Sequence, residues 1–297
     1  MKYTLIIDGG LGRTICSIPS VESFIANNPE TLVISYWPGV YQGNRTIQPV
    51  SYDSEHKNLF QLIKNTKIIK PEPYYNINYN NERIHLVQAF DEELNSKSRM
   101  VIPRINLSYS ELQYGANIRS NAKKIVCFQP FGSTAVLNHD VFDNSVRSLT
   151  KETTQQIVNR LRNNNIHVAL MDNRPIPFLN ANDFYNVGNL HYRDWFALIA
   201  NCDYFIGVDS SGQHIARSFD IPGTVFVGGT SVVNISYPDF FRVVYKEGDR
   251  QYMPFRLSER DYRDAQLLNW DLIHFSKQEI DDVCDAILND IFRGSND

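Results

Sequence analysis

Residues 202–230 read CDYFIGVDSSGQHIARSFDIPGTVFVGGT. The short apolar run 204–208 (YFIGV) is bounded by turn residues and reads as a buried strand. It leads into Asp209, Ser210, Ser211 and Gly212, and the pattern predicts a helix over 212–219 with His214 on its first turn. A second apolar run, 224–227 (TVFV), ends in Gly228, Gly229 and Thr230. Strand, helix and strand in this order predict a parallel α/β unit, and such sheets bind ligands beyond the carboxyl ends of their strands. A helix that starts there presents free N–H groups and the positive end of its dipole, an arrangement suited to a diphosphate. On this reading Ser210, Ser211 and Gly212 admit a phosphate, Asp209 accepts hydrogen bonds from sugar hydroxyls, and His214 points into the same cleft.

The same alternation extends outward in both directions. Strands are expected at 124–129, 167–171, 31–36, 84–90 and 3–8. Helices are expected at 14–26 (interrupted by Pro19), 56–64, 150–163, 194–201 and 276–292. The last of these carries Ser276 and Glu279 in capping-box spacing, and an apolar stripe of Ile280, Val283, Ile287, Leu288 and Ile291. Residues 78–82 are polar and read as a loop, and the pattern weakens between 91 and 122, where an inter-domain linker is placed near 115–122. The fold class is therefore α/β, with two consecutive Rossmann-like, doubly wound domains at 1–118 and 119–297 facing across a cleft. The last helix is expected to pack back on the first domain. The first would be the acceptor side and the second the donor side.

The stretch 202–230 resembles the donor-site signature of the heptosyltransferase-like glycosyltransferases, glycosyltransferase family 9. In that family a helix with an LIAxxD-like end leads through a strand to Asp-Ser/Thr-Gly. A His follows five residues after the Asp, then a small-residue helix, an Ile-Pro step and a Gly-x-Thr turn. Here the matching residues are Leu198-Ile199-Ala200 with Asp203, then Asp209, His214, Ala216, Ile221-Pro222 and Gly229-Thr230. The departure is Gly212, three residues after Asp209 where the family's Gly stands two after. More weakly, 128–134 (FQPFGST, with Gly132, Ser133 and Thr134) is similar to the loop that opens the second domain. Arg147 is similar in position to the basic residue facing the donor phosphates. Residues 10–19 (GLGRTICSIP, with Gly12) resemble the amino-terminal loop. The resemblance implies a GT-B glycosyltransferase that takes a nucleoside-diphosphate sugar as co-substrate, with no other cofactor and no metal.

Inverting transfer needs a stabilised diphosphate, an aligned acceptor hydroxyl and a general base. Where the family's amino-terminal loop carries an Asp, this chain has Arg13, which cannot act as a base. Arg13 is left to face the donor phosphates or an anionic acceptor, and the base falls to Asp8, after the first strand, or to Asp91, after the expected strand 84–90. Tyr36, Trp37 and Tyr41 would stack on an acceptor or close a core, and Arg193 reads as a solvated charge.

The whole chain sets limits around this site. Its 297 residues suit two domains, and a formal charge of −4 lends no support to a general nucleic-acid binder. No run of 18 or more apolar residues spans a membrane and no signal peptide is read, so a cytoplasmic protein is expected. The four scattered cysteines, with no CxxC or HExxH, fit reduced core thiols. The acceptor is a glycan of lipopolysaccharide type or, alternatively, a hydroxymethylated base in phage-type DNA. A third alternative is a catalytically silent nucleotide-sugar binder, supported by Arg13. A Rossmann oxidoreductase fits poorly, because GGLG lacks the full GxGxxG and no acidic residue closes the second strand at Tyr36. The oligomeric state is not legible.

Overall fold

Strand β1 (Tyr3–Ile7) lies inside a parallel sheet, between β2 (Thr31–Ser35) and β4 (Lys67–Ile69), with β3 (Pro49–Ser51) outside β2. The order is β3-β2-β1-β4. Strands in such a sheet are covered on both faces and read as unbroken apolar runs, as YTLII does. A computed structural model describes residues 2–51, 59–96, 102–119, 123–180, 185–186, 190–248 and 269–293. The chain divides into two compact units, Met1–Ser108 and Tyr109–Asp297.

In the first unit β1 feeds α1 (Leu11–Cys16) and α2 (Ile18–Asn27), with Pro19 at the start of α2, where its missing N–H is harmless. Helices α3 (Leu59–Ile63), α4 (Ile77–Asn80) and α5 (Leu86–Glu93) complete the unit. The expected helix 56–64 is present where described, and residues 56–58 lie outside the described residues.

Two expectations fail here for local reasons. Residues 84–90 form no strand. His85 caps α5 through Nδ1, which accepts the Val87 N–H at 3.2 Å, and Gln88 returns to the His85 N–H. Leu86, Val87, Ala89 and Phe90 are buried, a helical spacing that the apolar run concealed. Residues 78–82 are no simple loop either, because the Asn76 side chain caps the short helix α4.

The second unit opens with α6 (Tyr109–Arg119) and continues with β5 (Ile125–Gln129), β6 (Val136–Leu137), β7 (Val141–Phe142), α7 (Lys151–Asn163) and β8 (His167–Leu170). Then follow β9 (Tyr185–Asn186), α8 (Tyr192–Ala200), β10 (Tyr204–Val208), α9 (Ser211–Ser218) and β11 (Gly223–Val227). The unit closes with α10 (Val232–Ile235), β12 (Arg242–Tyr245) and α11 (Lys277–Arg293). Its six-stranded sheet has the order β12-β11-β10-β5-β8-β9, all parallel, and β6 and β7 form a separate antiparallel hairpin. Val126, Phe128, Ile206 and Val208 of the sheet pack with Ile157, Val158 and Leu161 of α7 and with Ile280, Cys284, Ile287 and Ile291 of α11. Helix α11 thus buries its stripe in the core of its own unit. Each such aliphatic side chain contributes roughly 1.5–3 kcal/mol before chain entropy is counted. The Ser276–Glu279 capping box is present. All four cysteines are buried and free.

The linker expected near residues 115–122 is helix as far as Arg119, with 120–122 outside the described residues. Helix α6 is fastened to α8 by charge. Glu111 takes both Arg193 Nε and Nη2 at 2.7 Å, and Arg119 donates to the Asn201 carbonyl and to Asp203, both at 2.7 Å. Arg193, expected to be solvated, is buried against the Phe196 ring. Glu111→Ala leaves this cation without its bidentate carboxylate. We expect it to lose about 3 kcal/mol of stability, read as a lower melting temperature, whereas Lys123→Ala at an exposed position should change it little.

Candidate active site

The second sheet changes direction between β5 and β10. From β5 the chain moves outward through β8 and β9, then returns to β10 and moves the other way through β11 and β12. The carboxyl ends of β5 and β10 are adjacent parallel neighbours, and this crevice is where doubly wound sheets bind ligands. Gln129 ends one strand, and Asp209, Ser210 and Ser211 follow the other. The two ends are tied together, since Gln129 Oε1 accepts the Gly212 N–H at 2.9 Å.

That bond changes the reading of Gly212. A Cβ at this position would stand 2.3 Å from Gln129 Oε1 and 2.7 Å from the Phe205 ring. The residue is glycine so that the protein's own side chains fit, and its N–H is already used. Ser210 is the N-cap of α9 in extended conformation and makes no side-chain cap bond. Asp209 is buried, with Gln213 Nε2 3.4 Å and Arg147 Nη1 3.9 Å from its carboxylate oxygens. His214 is buried on the first turn of α9, and its Nδ1 lies 2.9 Å from the Tyr237 hydroxyl.

The loop after β5 carries Gly132, Ser133 and Thr134. It is organised by Asp143, a residue not singled out in the sequence. Asp143 Oδ1 accepts from Thr134 Oγ1 (2.9 Å), Ser145 N (2.9 Å) and Ser145 Oγ (2.5 Å). Asp143 Oδ2 accepts from Ser148 N (3.1 Å) and Ser148 Oγ (2.5 Å), and Ser148 Oγ in turn accepts the Gly132 N–H at 2.9 Å. Burial raises the pKa of this carboxyl, but the nearby Arg147 charge and the serine hydrogen bonds outweigh it and hold the group below its ordinary value. The legible signal was DNSVRS itself, since an Asp whose side chain accepts an N–H two residues on is an Asx-turn.

Arg147 leaves this loop toward the crevice. Its Nε donates to Ser145 Oγ at 2.9 Å and its Nη1 to the Asp209 carbonyl at 3.4 Å. The preceding Val146 has φ +51°, a left-handed conformation costly for a β-branched residue. Val146 is held there by its carbonyl, which accepts the Gly229 N–H at 2.8 Å. A Cβ on Gly228 would stand 2.0 Å from that carbonyl. Gly228 and Gly229 therefore seat the Arg147 loop, where the resemblance implied a donor-binding Gly-x-Thr turn. Thr230 follows them at the carboxyl end of β11.

On the other side of the loop, Arg174 pairs with Asp172 (Nε–Oδ1, 2.8 Å) just beyond β8, and donates to the carbonyls of Gly132 and Ala135. It too was missed.

The first sheet reverses between β1 and β4, and four charges gather at its switch point. Asp8 Oδ2 pairs with Lys70 Nζ at 2.6 Å, and Asp8 Oδ1 stands 3.1 Å from Arg13 Nη2. The second approach is an ion contact without hydrogen-bond geometry, because that nitrogen donates to the Pro71 carbonyl (2.9 Å) and Glu72 Oε2 (3.2 Å). Arg13 Nη1 completes the grip on Glu72 at 3.0 Å. Arg13 is buried, beside the rings of Tyr74 and Phe90. It is thus committed to internal partners rather than held out to an anion. Lys70, half-exposed, has its pKa raised by the hydrogen bond and charge of Asp8. Gly12 lies inside α1 and contributes no loop. Asp91 follows no strand. It lies in α5 and accepts from Ser20 Oγ of α2 (2.7 Å), which links the two helices, and from Ser96 Oγ (2.8 Å) in the turn that follows α5. Tyr41 is buried with its hydroxyl 2.6 Å from Ser17 Oγ, and Trp37 Nε1 donates to the Gly9 carbonyl, so both serve packing.

Two parallel sheets, with polar and charged groups collected at each switch point, define an α/β protein of Rossmann-like type. The particular fold is that of heptosyltransferase-like glycosyltransferases. The chain is similar to the Escherichia coli ADP-heptose LPS heptosyltransferase II (TM-score 0.68, 12% identity, 99% of this chain and 100% of that one). It is also similar to a glycosyl transferase family 9 protein from Veillonella parvula (TM-score 0.65, 11% identity, 98% and 97%). A third similar structure is the heptosyltransferase TibC, in complex with ADP-D-beta-D-heptose (TM-score 0.63, 13% identity, 98% and 76%). No family model and no curated protein sequence matches the chain. No helix among the described residues is long and apolar enough to cross a membrane.

Proposed function

We propose that this chain is an inverting glycosyltransferase using a nucleoside-diphosphate sugar, and that its donor binds at the switch point of the second sheet. The observation that carries the reading is Arg147. One cation is presented beside Asp209, Gly132 and the start of α9, on the fold of enzymes whose structures include an ADP-heptose complex. The diphosphate would sit against Arg147, Ser133, Thr134 and the α9 N-terminus, with Asp209 and His214 toward the sugar and ribose hydroxyls. ADP-linked sugars are the first donors to test.

In the reaction the acceptor oxygen forms a bond to the anomeric carbon as the bond from that carbon to the diphosphate oxygen breaks. Charge builds on the departing diphosphate, and Arg147 stabilises it electrostatically. The acceptor proton passes to a carboxylate, for which Asp8 is the candidate. Asp91 is less suited, since its carboxylate is engaged by Ser20 of α2 and by Ser96 in the turn after α5. A cation at the diphosphate supplies what a metal otherwise would, so metal-independent transfer is part of the proposal.

A thermal-shift and hydrolysis screen of nucleoside-diphosphate sugars tests this, run with and without EDTA. The expected result is a shift with at least one donor, and turnover that EDTA leaves unchanged. If no nucleotide sugar raises the melting temperature at saturation, the reading fails. A shift without hydrolysis, and without transfer to either a glycan or hydroxymethylated DNA, would favour the silent binder.

A further inference from the structure

We infer that Asp143 is the positioning residue of the donor site: through Ser145 it aims Arg147, and through Ser148 it sets the Gly132 loop. This rests on the reading of the second unit as a nucleoside-diphosphate site.

The geometry has two matching arms. On one, Arg147 Nε donates to Ser145 Oγ at 2.9 Å, which leaves the serine proton free to be given to Asp143 Oδ1 at 2.5 Å. On the other, the Gly132 N–H donates to Ser148 Oγ at 2.9 Å, and that hydroxyl donates to Asp143 Oδ2 at 2.5 Å. A single carboxylate, 1% exposed, thus acts through two serines on both loops that meet at the crevice. The arms converge, because a Cβ on Gly132 would lie 3.6 Å from Arg147 Nη2.

A carboxylate that served only to fill its own Asx-turn would need the two backbone N–H groups and no more. Here each oxygen also takes a hydroxyl whose own acceptor role is occupied by a group of the proposed site. Asp143 Oδ1 takes Thr134 Oγ1 besides, so the exposed tip of the Gly132–Thr134 loop is bound to the same carboxyl. Hydrogen bonds to an ionised group are shorter and stronger than neutral ones, and the 2.5 Å contacts fit an ionised Asp143. The strained Val146 lies between the two serines, so the turn must be held from both sides for Arg147 to keep its direction.

A double-mutant cycle tests the assignment, with ADP binding to the full-length chain measured by calorimetry. Ser145→Ala breaks the Arg147 arm while leaving Asp143 its bonds to Ser148 and Thr134. Asp143→Asn keeps the shape and weakens both arms. Arg147→Lys keeps a cation for the diphosphate but has no Nε–H to donate to Ser145. Ser145→Ala should weaken ADP binding about tenfold in the parent protein and less than about twofold in the Arg147→Lys background, the coupling of residues in one network. Asp143→Asn should weaken it at least as much in the parent. Equal losses in both backgrounds would reduce Asp143 and Ser145 to general loop structure and overturn the inference, as would no loss at all. If Asp143→Asn does not fold, the Ser145→Ala cycle decides alone. Should the parent protein bind neither ADP nor another nucleoside diphosphate, the donor-site reading itself fails and the inference with it.

Discussion

Arg147→Ala is expected to lower kcat/KM for the nucleotide-sugar donor by about 10²–10³-fold, the usual effect of removing one charge-stabilising donor from a reacting centre. The side chain is 23% exposed, rooted by Ser145 and aimed by a valine in left-handed conformation. Its charge is therefore available to a ligand yet cannot wander. Within the proposed site it is the cation placed to meet the leaving diphosphate. The loss should appear in kcat as well as in KM, because charge on the leaving group grows toward the transition state. Arg147→Lys should retain an intermediate activity, since a point charge replaces a forked and oriented one. Steady-state kinetics over a range of donor concentrations make the comparison, with the melting temperature as a control for folding. Wild-type kinetics in Arg147→Ala would remove the residue from the reaction and take the main support from the proposed donor pose.

Asp8→Asn is expected to lower kcat by about 10²–10⁴-fold, the range for a lost general base, while the donor KM stays within about twofold. Asp8 stands at the carboxyl end of β1, at the switch point of the first sheet, with its side chain 20% exposed. Lys70 and Arg13 hold its two oxygens in place. Asn preserves the shape of the group and removes its capacity to take a proton. Arg13 keeps Glu72 in the variant, so the local structure survives. Asp91→Asn provides the contrast: with Ser20 and Ser96 as its partners it should lower stability and leave kcat nearly unchanged. Full activity in Asp8→Asn, measured at saturating donor and acceptor, would exclude Asp8 as the base.

Why one half of the site was easier to read than the other follows from where its interactions lie along the chain. The β10–α9–β11 stretch is local: apolar runs of strand length, small polar residues after each, and a helix between. Those features depend on neighbours within a few residues, and they reappear with the expected bounds to within one or two positions. The capping box of α11 is local in the same way. Residues 84–90 misled because an apolar run of that length does not distinguish strand from helix, and the His85 cap that decides the matter is an unusual one.

Long-range partners were beyond reach. Arg13 meets Glu72, 59 residues away, and only that contact turns an anion-facing cation into an internal brace. Arg193 meets Glu111, 82 residues away, and only that contact turns an expected surface charge and linker into a buried pair and a packed helix. The glycines show the same division. Gly228 and Gly229 beyond β11 marked a turn correctly, but that the protein's own Gln129 comes close to Gly212 and Val146 to Gly228 was decided by tertiary packing.

The parallel α/β class and most of the order of elements along the chain follow from patterns of burial and turn chemistry that each segment carries alone. The strand, helix and strand at residues 204–227 show this most plainly. Direction and commitment are different properties. Gln129 closing over Gly212 and Glu72 claiming Arg13 arise only when segments distant in sequence meet at a switch point. Buried charges and N–H groups must then find partners, because leaving them unpaired in a low-dielectric interior is far more costly than pairing them.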